Sequence, residues 1–132
     1  MDPMVTLTIV DRHRNYAPGE TIVFEYAIES LQGNEIQAVE ASVLWYTEGK
    51  GDEDMVVHYF ERGGAESVIG EAFQGAYRFE TELPKSPLSY EGLIVKIQWC
   101  ARIRVFLTSG AELHHETPFY LGEVPRPRSR SK

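Results

Sequence analysis

Three groups of residues in this sequence have the types and spacing to do chemistry. His114, His115 and Glu116 stand in a row, and imidazole with carboxylate is a donor set for zinc. On a strand, however, consecutive side chains point to opposite faces, so these two imidazoles do not meet one ion. Nothing in the spacing brings His13 or His58 to them; a turn histidine and a strand histidine are the plainer account. The second group is Glu48 with Asp52, Glu53 and Asp54, in the loop EGKGDED. Oxygen-rich loops hold calcium, but these carboxylates do not follow the spaced pattern of an EF-hand, and an acidic hairpin tip is ordinarily solvated. The third is a basic stripe of Lys96, Arg102 and Arg104, on which a phosphate or an acidic peptide could lie. Cross-strand pairing with Glu80, Glu82 or Glu25 is the plainer reading. Cys100, the single cysteine, forms no intrachain disulfide and has no local histidine to activate it. There is no nucleophile elbow, phosphate-cradling glycine loop or Cys/His constellation. The residues thus assign no catalytic group, metal ligand or cofactor site, and the expectation is a chain that is not an enzyme.

The elements that carry these residues are strands. Leu93 to Leu107, LIVKIQWCARIRVFL, is the longest run of strand-forming residues and contains no Gly or Pro. At period two, Leu93, Val95, Ile97, Trp99, Ala101, Ile103, Val105 and Leu107 share one face, and Lys96, Gln98, Arg102 and Arg104 share the other. At helical spacing the same apolar residues would be smeared around the cylinder. One face of this central strand is therefore expected to be core and the other wet, with Cys100 in the wet register. Shorter alternating runs precede and follow it: Met4 to Val10, Glu20 to Glu29, Ile36 to Thr47, Met55 to Glu61, Ala76 to Leu83 and Glu112 to Leu121. Pro18-Gly19, Gln32-Gly33-Asn34, Gly63-Gly64 and Ser109-Gly110 mark turns between them. AESVIGEAFQG reads as a loop or a short edge strand, and LPKSPLSYEG, with two prolines, is no ordinary strand. Seven or eight strands of unequal length, each with one apolar face, predict an all-β fold of two antiparallel sheets packed face to face as an immunoglobulin-like sandwich. A closed barrel asks for matched strands.

Length and charge narrow the classes further. At 132 residues the chain makes one domain, expected over 1–123, with a disordered basic tail at 124–132. The tail VPRPRSRSK holds four of the 13 basic residues and no acid, which leaves 9 basic against 20 acidic residues elsewhere, a charge of −11. So acidic a body repels nucleic-acid backbones and anionic membranes. No stretch of about 20 apolar residues could span a bilayer, and the start MDPMVTLTIVDRHR lacks the regions of a signal peptide, so the expected compartment is the cytoplasm.

Two segments in order carry a resemblance. Tyr16-Ala17-Pro18-Gly19-Glu20 precedes an alternating strand. Much later, Phe79-Glu80-Thr81-Glu82-Leu83-Pro84 and Pro87-Leu88-Ser89-Tyr90-Glu91-Gly92 lead into the long strand with Trp99 near its middle. Over residues 5 to 121 the chain resembles the arrestin-like superfamily. The resemblance implies an arrestin-type sandwich used as an adaptor that binds protein or peptide partners, without a cofactor. Family adaptors generally carry two such sandwiches, and features that depend on both are not carried over. The expected partner-binding residues are the stripe Lys96, Arg102 and Arg104, or an exposed edge strand open to β-augmentation. The first strand and the Met55 to Glu61 strand are the candidate edges, the latter with Val56, His58 and Phe60 on its second face, and such an edge would serve a partner or self-association. The alternative is a carbohydrate- or metal-binding sandwich that uses Tyr46 and Tyr59 on one sheet face, or the loop Glu48 to Asp54.

Overall fold

A computed structural model describes residues 2–11, 14–31, 33–49, 53–64, 77–92 and 95–122. The strands are β1 (Met4–Ile9), β2 (Asn15–Tyr16), β3 (Thr21–Glu29), β4 (Ile36–Gly49), β5 (Met55–Gly64), β6 (Tyr77–Glu82), β7 (Tyr90–Glu91), β8 (Val95–Leu107) and β9 (Glu112–Leu121); a 3₁₀ turn at Gly33–Glu35 precedes β4. They form two sheets. The smaller has the order β1-β3-β6; the larger runs β2-β9-β8-β4-β5, with β7 on the end of β8. This is the expected all-β sandwich. It has two strands more than the clear alternating runs, because Asn15–Tyr16 and Tyr90–Glu91 are two-residue pairings inside segments that read as turns. The β2–β9 pair is parallel, unlike the other pairings. The tail at 124–132, Leu93, Ile94 and the whole of AESVIGEAFQG lie outside the described residues, as do His13 and Asp52 of the candidate ligand groups.

β8 is central because it is paired along its whole length with β4, from Val95↔Gly49 to Leu107↔Ile36, and with β9 from Trp99↔Phe119 to Phe106↔Glu112. From Trp99 onward alternation does what the sequence predicts: Trp99, Ala101, Ile103 and Val105 have no exposed surface. Val95, at the start of the same face, is 40% exposed because it lies beyond the cover of the smaller sheet's core residues. From β4, Val39, Ala41 and Val43 join them, and from the smaller sheet Val5, Leu7, Ile22, Phe24 and Phe79 close the core. The opposite face of β8 departs from expectation at its middle. Gln98 and Cys100 are 8% and 2% exposed. Gln98 spends its amide on the carbonyls of Trp99 and Phe119, at 2.9 and 3.1 Å. Cys100 faces Leu44 and Pro118 in the ladder, and burial pushes its thiol up to about 12. It is a small apolar filler here, not a surface thiol.

The two distant motifs of the resemblance meet in space. Ala17-Pro18-Gly19-Glu20 is a type II turn: Glu20 N donates to Ala17 O at 3.1 Å and Gly19 takes the positive φ of 86° that its position requires. From that turn, Gly19 N donates to Leu83 O and Leu83 N to Glu20 O, both at 2.9 Å, which tie the entry of β3 to the exit of β6. Ser89 bonds Leu121 twice, once through its backbone N–H and once through its hydroxyl oxygen, both at 2.8 Å. Pro87 O accepts the Trp99 indole N–H at 2.8 Å, which satisfies the one polar group of a fully buried side chain.

One side of the sandwich is sealed by side chains. Among the described residues β1 pairs with β3 alone, so its other edge would leave carbonyls bare. Thr117 on β9 donates to Leu7 O at 2.7 Å, and the His115 Nδ1–H reaches Val5 O at 3.3 Å. His114 takes the other face, opposite Arg104, so alternation separates the paired histidines. Replacing Trp99 with Ala removes a buried ring and orphans Pro87 O. The expected cost is about 3–5 kcal/mol against a total near 5–15, read as a drop in the urea midpoint.

Candidate interaction surface

β5 is an edge strand among the described residues, joined to β4 alone. Its register is broken once. Val43 faces Tyr59, but Leu44 faces Val57, so His58 is an extra residue with no opposite number, a β-bulge. An inserted residue turns every side chain beyond it to the other face. The expectation that Val56, His58 and Phe60 share a face is therefore overturned. Val56 pairs with Trp45, which packs against the core, while Phe60 pairs with Ser42 on the outward face with Met55 and Val57. His58 points toward the smaller sheet. Its Nε2–H donates to Glu82 O at 2.9 Å, and its ring lies edge-on to Trp99 at 5.8 Å. The same bulge separates Tyr46 from Tyr59: Tyr46 is outward beside Met55, and Tyr59 is inward, stacked on Phe79 at 5.8 Å and 2°. They form no single aromatic platform for a sugar.

The outward face of the larger sheet thus collects Met55, Val57 and Phe60, exposed by 53%, 46% and 55%, next to the edge of the ladder. Beside them runs the basic stripe, whose two arginines are paired with acids on neighbouring strands. Arg102 bonds Glu116 at 2.7 and 2.8 Å and lies 3.8 Å from the Met55 sulfur. Arg104 bonds Glu112 at 2.7 Å and approaches Glu40 at 3.6 Å, and Arg62 bonds Glu40 as well. The Arg62 and Arg104 guanidiniums sit over the Phe106 ring, 5.3 and 5.0 Å from its centre. Its hydrogen bond to Arg104 holds the exposed Glu112 carboxyl below the usual range. Lys96 stands in register between Glu48 and Glu91. Pairing was expected, but the partners differ. Glu25 bonds Arg78 at 2.7 Å instead, and Glu80 and Glu82 belong to the other sheet.

Where the sheets face each other near β5 and β6, aromatic residues line up. Tyr26 stacks on its register partner Tyr77 at 4.9 Å, and Phe79 lies 6.2 Å from Tyr26. The Tyr59 hydroxyl donates to Glu61 Oε1 at 2.5 Å. Burial pushes that hydroxyl up to about 12, with the bond to Glu61 adding to the rise, and burial takes Tyr16 to about 12 too. Burial raises Tyr26 as well, followed by the charges of Tyr77, Glu61 and Tyr59. A cleft of about 170 Å³ opens beside Tyr26, Tyr77 and Phe79. No sequence signal marked this row: its members come from three strands, and the bulge brings Tyr59 to it.

Among the described residues no cluster of three or more His, Cys, Asp or Glu is placed to hold a metal ion, and no helix is long and apolar enough to cross a membrane. At the acidic hairpin, Thr47 and Asp54 close the turn through Thr47 N to Asp54 O at 2.8 Å and Asp54 N to the Thr47 hydroxyl at 3.1 Å.

No known protein family and no curated protein matches this sequence. In structure it is similar to Spo0M, the sporulation control protein of Bacillus subtilis, with a TM-score of 0.63 at 11% identity over 92% of this chain. The match takes in 49% of Spo0M, so the chain spans about half of that protein's length. The superoxide reductase (neelaredoxin) of Ignicoccus hospitalis is similar at a TM-score of 0.52 and 9% identity, over 90% of this chain and 80% of that one. The likeness to Spo0M, whose fold is arrestin-like, supports a distant arrestin-like fold for this sandwich.

Two outcomes check this geometry. Phe60→Ser should change stability by less than about 0.5 kcal/mol, whereas Tyr59→Ser should cost about 1–3 kcal/mol; urea titrations of the two variants would reverse that order if β5 had no bulge. The unfolded chain ionises tyrosine near 10.0, whereas folded Tyr59 and Tyr16 keep their protons to about 12. Their contribution to stability is whole below the first value and is lost as pH rises through the second. Denaturant midpoints should fall across that window as the tyrosinate absorbance rises.

Proposed function

We propose that this domain is a non-enzymatic protein-interaction module of arrestin-like form, acting in the cytoplasm, that takes an extended segment of a partner along the edge of β5. One observation carries the reading. β5 ends the larger sheet among the described residues, and Met55, Val57 and Phe60 are exposed on its outward face. An incoming strand would pair with the backbone edge and lay alternate side chains against those three. The competing edge, β1, has two of its carbonyls taken by Thr117 and His115. Arg102 and Arg104 are occupied by Glu116, Glu112 and Glu40, which weakens the case for an acidic ligand on the stripe. A likeness in fold to a protein described as a sporulation control protein is compatible with a regulatory role.

The test is affinity capture by the intact domain and by Val57→Pro, which removes an edge N–H and fixes φ, after circular dichroism shows that the variant folds. A partner, or a second copy of this chain, held by the first and lost by the second is the expected result. Equal recovery by both would remove β5 from the reading.

A further inference from the structure

The cleft between β5 and β6 has walls of unequal character. On one side stand Tyr26, Tyr77 and Phe79, and on the other Val39, Ala41 and Gly63, whose small side chains leave the space of about 170 Å³ unfilled. The exposed Glu61 also lines it, and its carboxylate accepts the Tyr59 hydroxyl at 2.5 Å, which fixes the charge there. Arg78, the basic residue of the lining, is drawn off to Glu25, where its Nε donates at 2.7 Å. Phe79 is stacked on by Phe24 at 5.1 Å and by Tyr59 at 5.8 Å, so the electron-rich parts of the lining are the Tyr26 and Tyr77 rings, stacked on each other at 4.9 Å, and the Glu61 carboxylate.

We propose that this cleft binds the head group of an organic cation of the methylated or quaternary ammonium class, with Tyr26 and Tyr77 as aromatic walls and Glu61 as counter-charge. The volume decides between a head group and a whole ligand, since sites for drug-sized molecules run to roughly 300–1,000 Å³. The chemistry of the walls decides the class. Val39, Ala41 and Gly63 offer no polar side chain to a sugar's hydroxyls, and the charged groups of the lining, Glu61 and Arg78, are already bonded to Tyr59 and Glu25. A primary ammonium would give up strong hydration on entry, whereas a methylated one has few hydrogen bonds to lose. Tyr59 is a positioning residue that acts through Glu61. The site does not rest on the β5 edge, because Met55, Val57 and Phe60 lie on the other face of the sheet.

The same head group is found on free choline-like molecules and on trimethylated lysine in a peptide, and one titration series tests both. Choline, a trimethyllysine peptide and the neutral isostere 3,3-dimethylbutan-1-ol are added to the intact chain while the tyrosine ring resonances are followed by NMR. Saturable shifts of Tyr26 and Tyr77 are expected with at least one of the cations, with the isostere weaker by roughly tenfold. Glu61→Gln should weaken cation binding severalfold and leave the isostere unchanged, a split that a merely structural role for Glu61 would not produce. A peptide that binds more tightly than choline would identify a protein side chain as the source, and the reverse a small molecule. Equal binding of isostere and cations, or no shift with either cation, overturns the proposal.

Discussion

The sandwich depends on one constraint: β8 is paired on both sides, to β4 and to β9, so it has no free edge over most of its length and must bury a face. A strand so enclosed satisfies its backbone within the sheet, which leaves side chains as the only variable. Trp99, Ala101, Ile103 and Val105 answer with complete burial, and the smaller sheet exists to cover them. The indole N–H of Trp99 then needs a partner in a dry place, and Pro87 O supplies it. Because that carbonyl belongs to the segment between β6 and β7, the prolines and turn residues there serve a definite end. They bring an irregular stretch of backbone over the core at the level of its largest ring.

Much of this was legible in residues alone. Period-two alternation over Leu93 to Leu107 gives the strand and its dry face, and the same pattern marks β1, β3, β4, β5, β6 and β9 within one to three residues at each described end. The turn at Ala17-Pro18-Gly19-Glu20 is legible for a specific reason, since Pro at its second place and Gly at its third suit a type II turn. Legibility ended where neighbours matter. Alternation says that Arg102 and Arg104 share a face, but sheet order decides that Glu116, Glu112 and Glu40 stand beside them while Glu80 and Glu82 do not. Gln98 and Cys100 have polar-register positions and buried surroundings, and only the strands on either side of them distinguish the two.

The site failed to show in the sequence for a sharper reason. Reading β5 as an unbroken strand puts Val56, His58 and Phe60 together and Tyr59 with Tyr46, and one unpaired residue at His58 undoes both groupings. Nothing local to Val57-His58-Tyr59 announces the bulge. Its reward is tertiary: a histidine bonded to Glu82 O across the sheets, and a tyrosine ring laid on Phe79. The same step leaves apolar residues on the outer surface and gathers aromatic ones within, so two distinct surfaces of β5 arise from one irregularity.

The seam between β1 and β9 bears on how the chain assembles. Thr117 meets Leu7, and His115 meets Val5, across 110 residues of sequence. Contacts so far apart close large loops before burial repays the entropy, which places such topologies among the slower folders, on the order of milliseconds to seconds. The hairpins β4–β5 and β8–β9 are local and can form early, whereas β1 has its last bonds to make only when β9 is in place. A chain halted before that step holds β1 with two bare carbonyls beside a finished sheet. That interval is when β1, closed in the native fold, is open to the wrong strand.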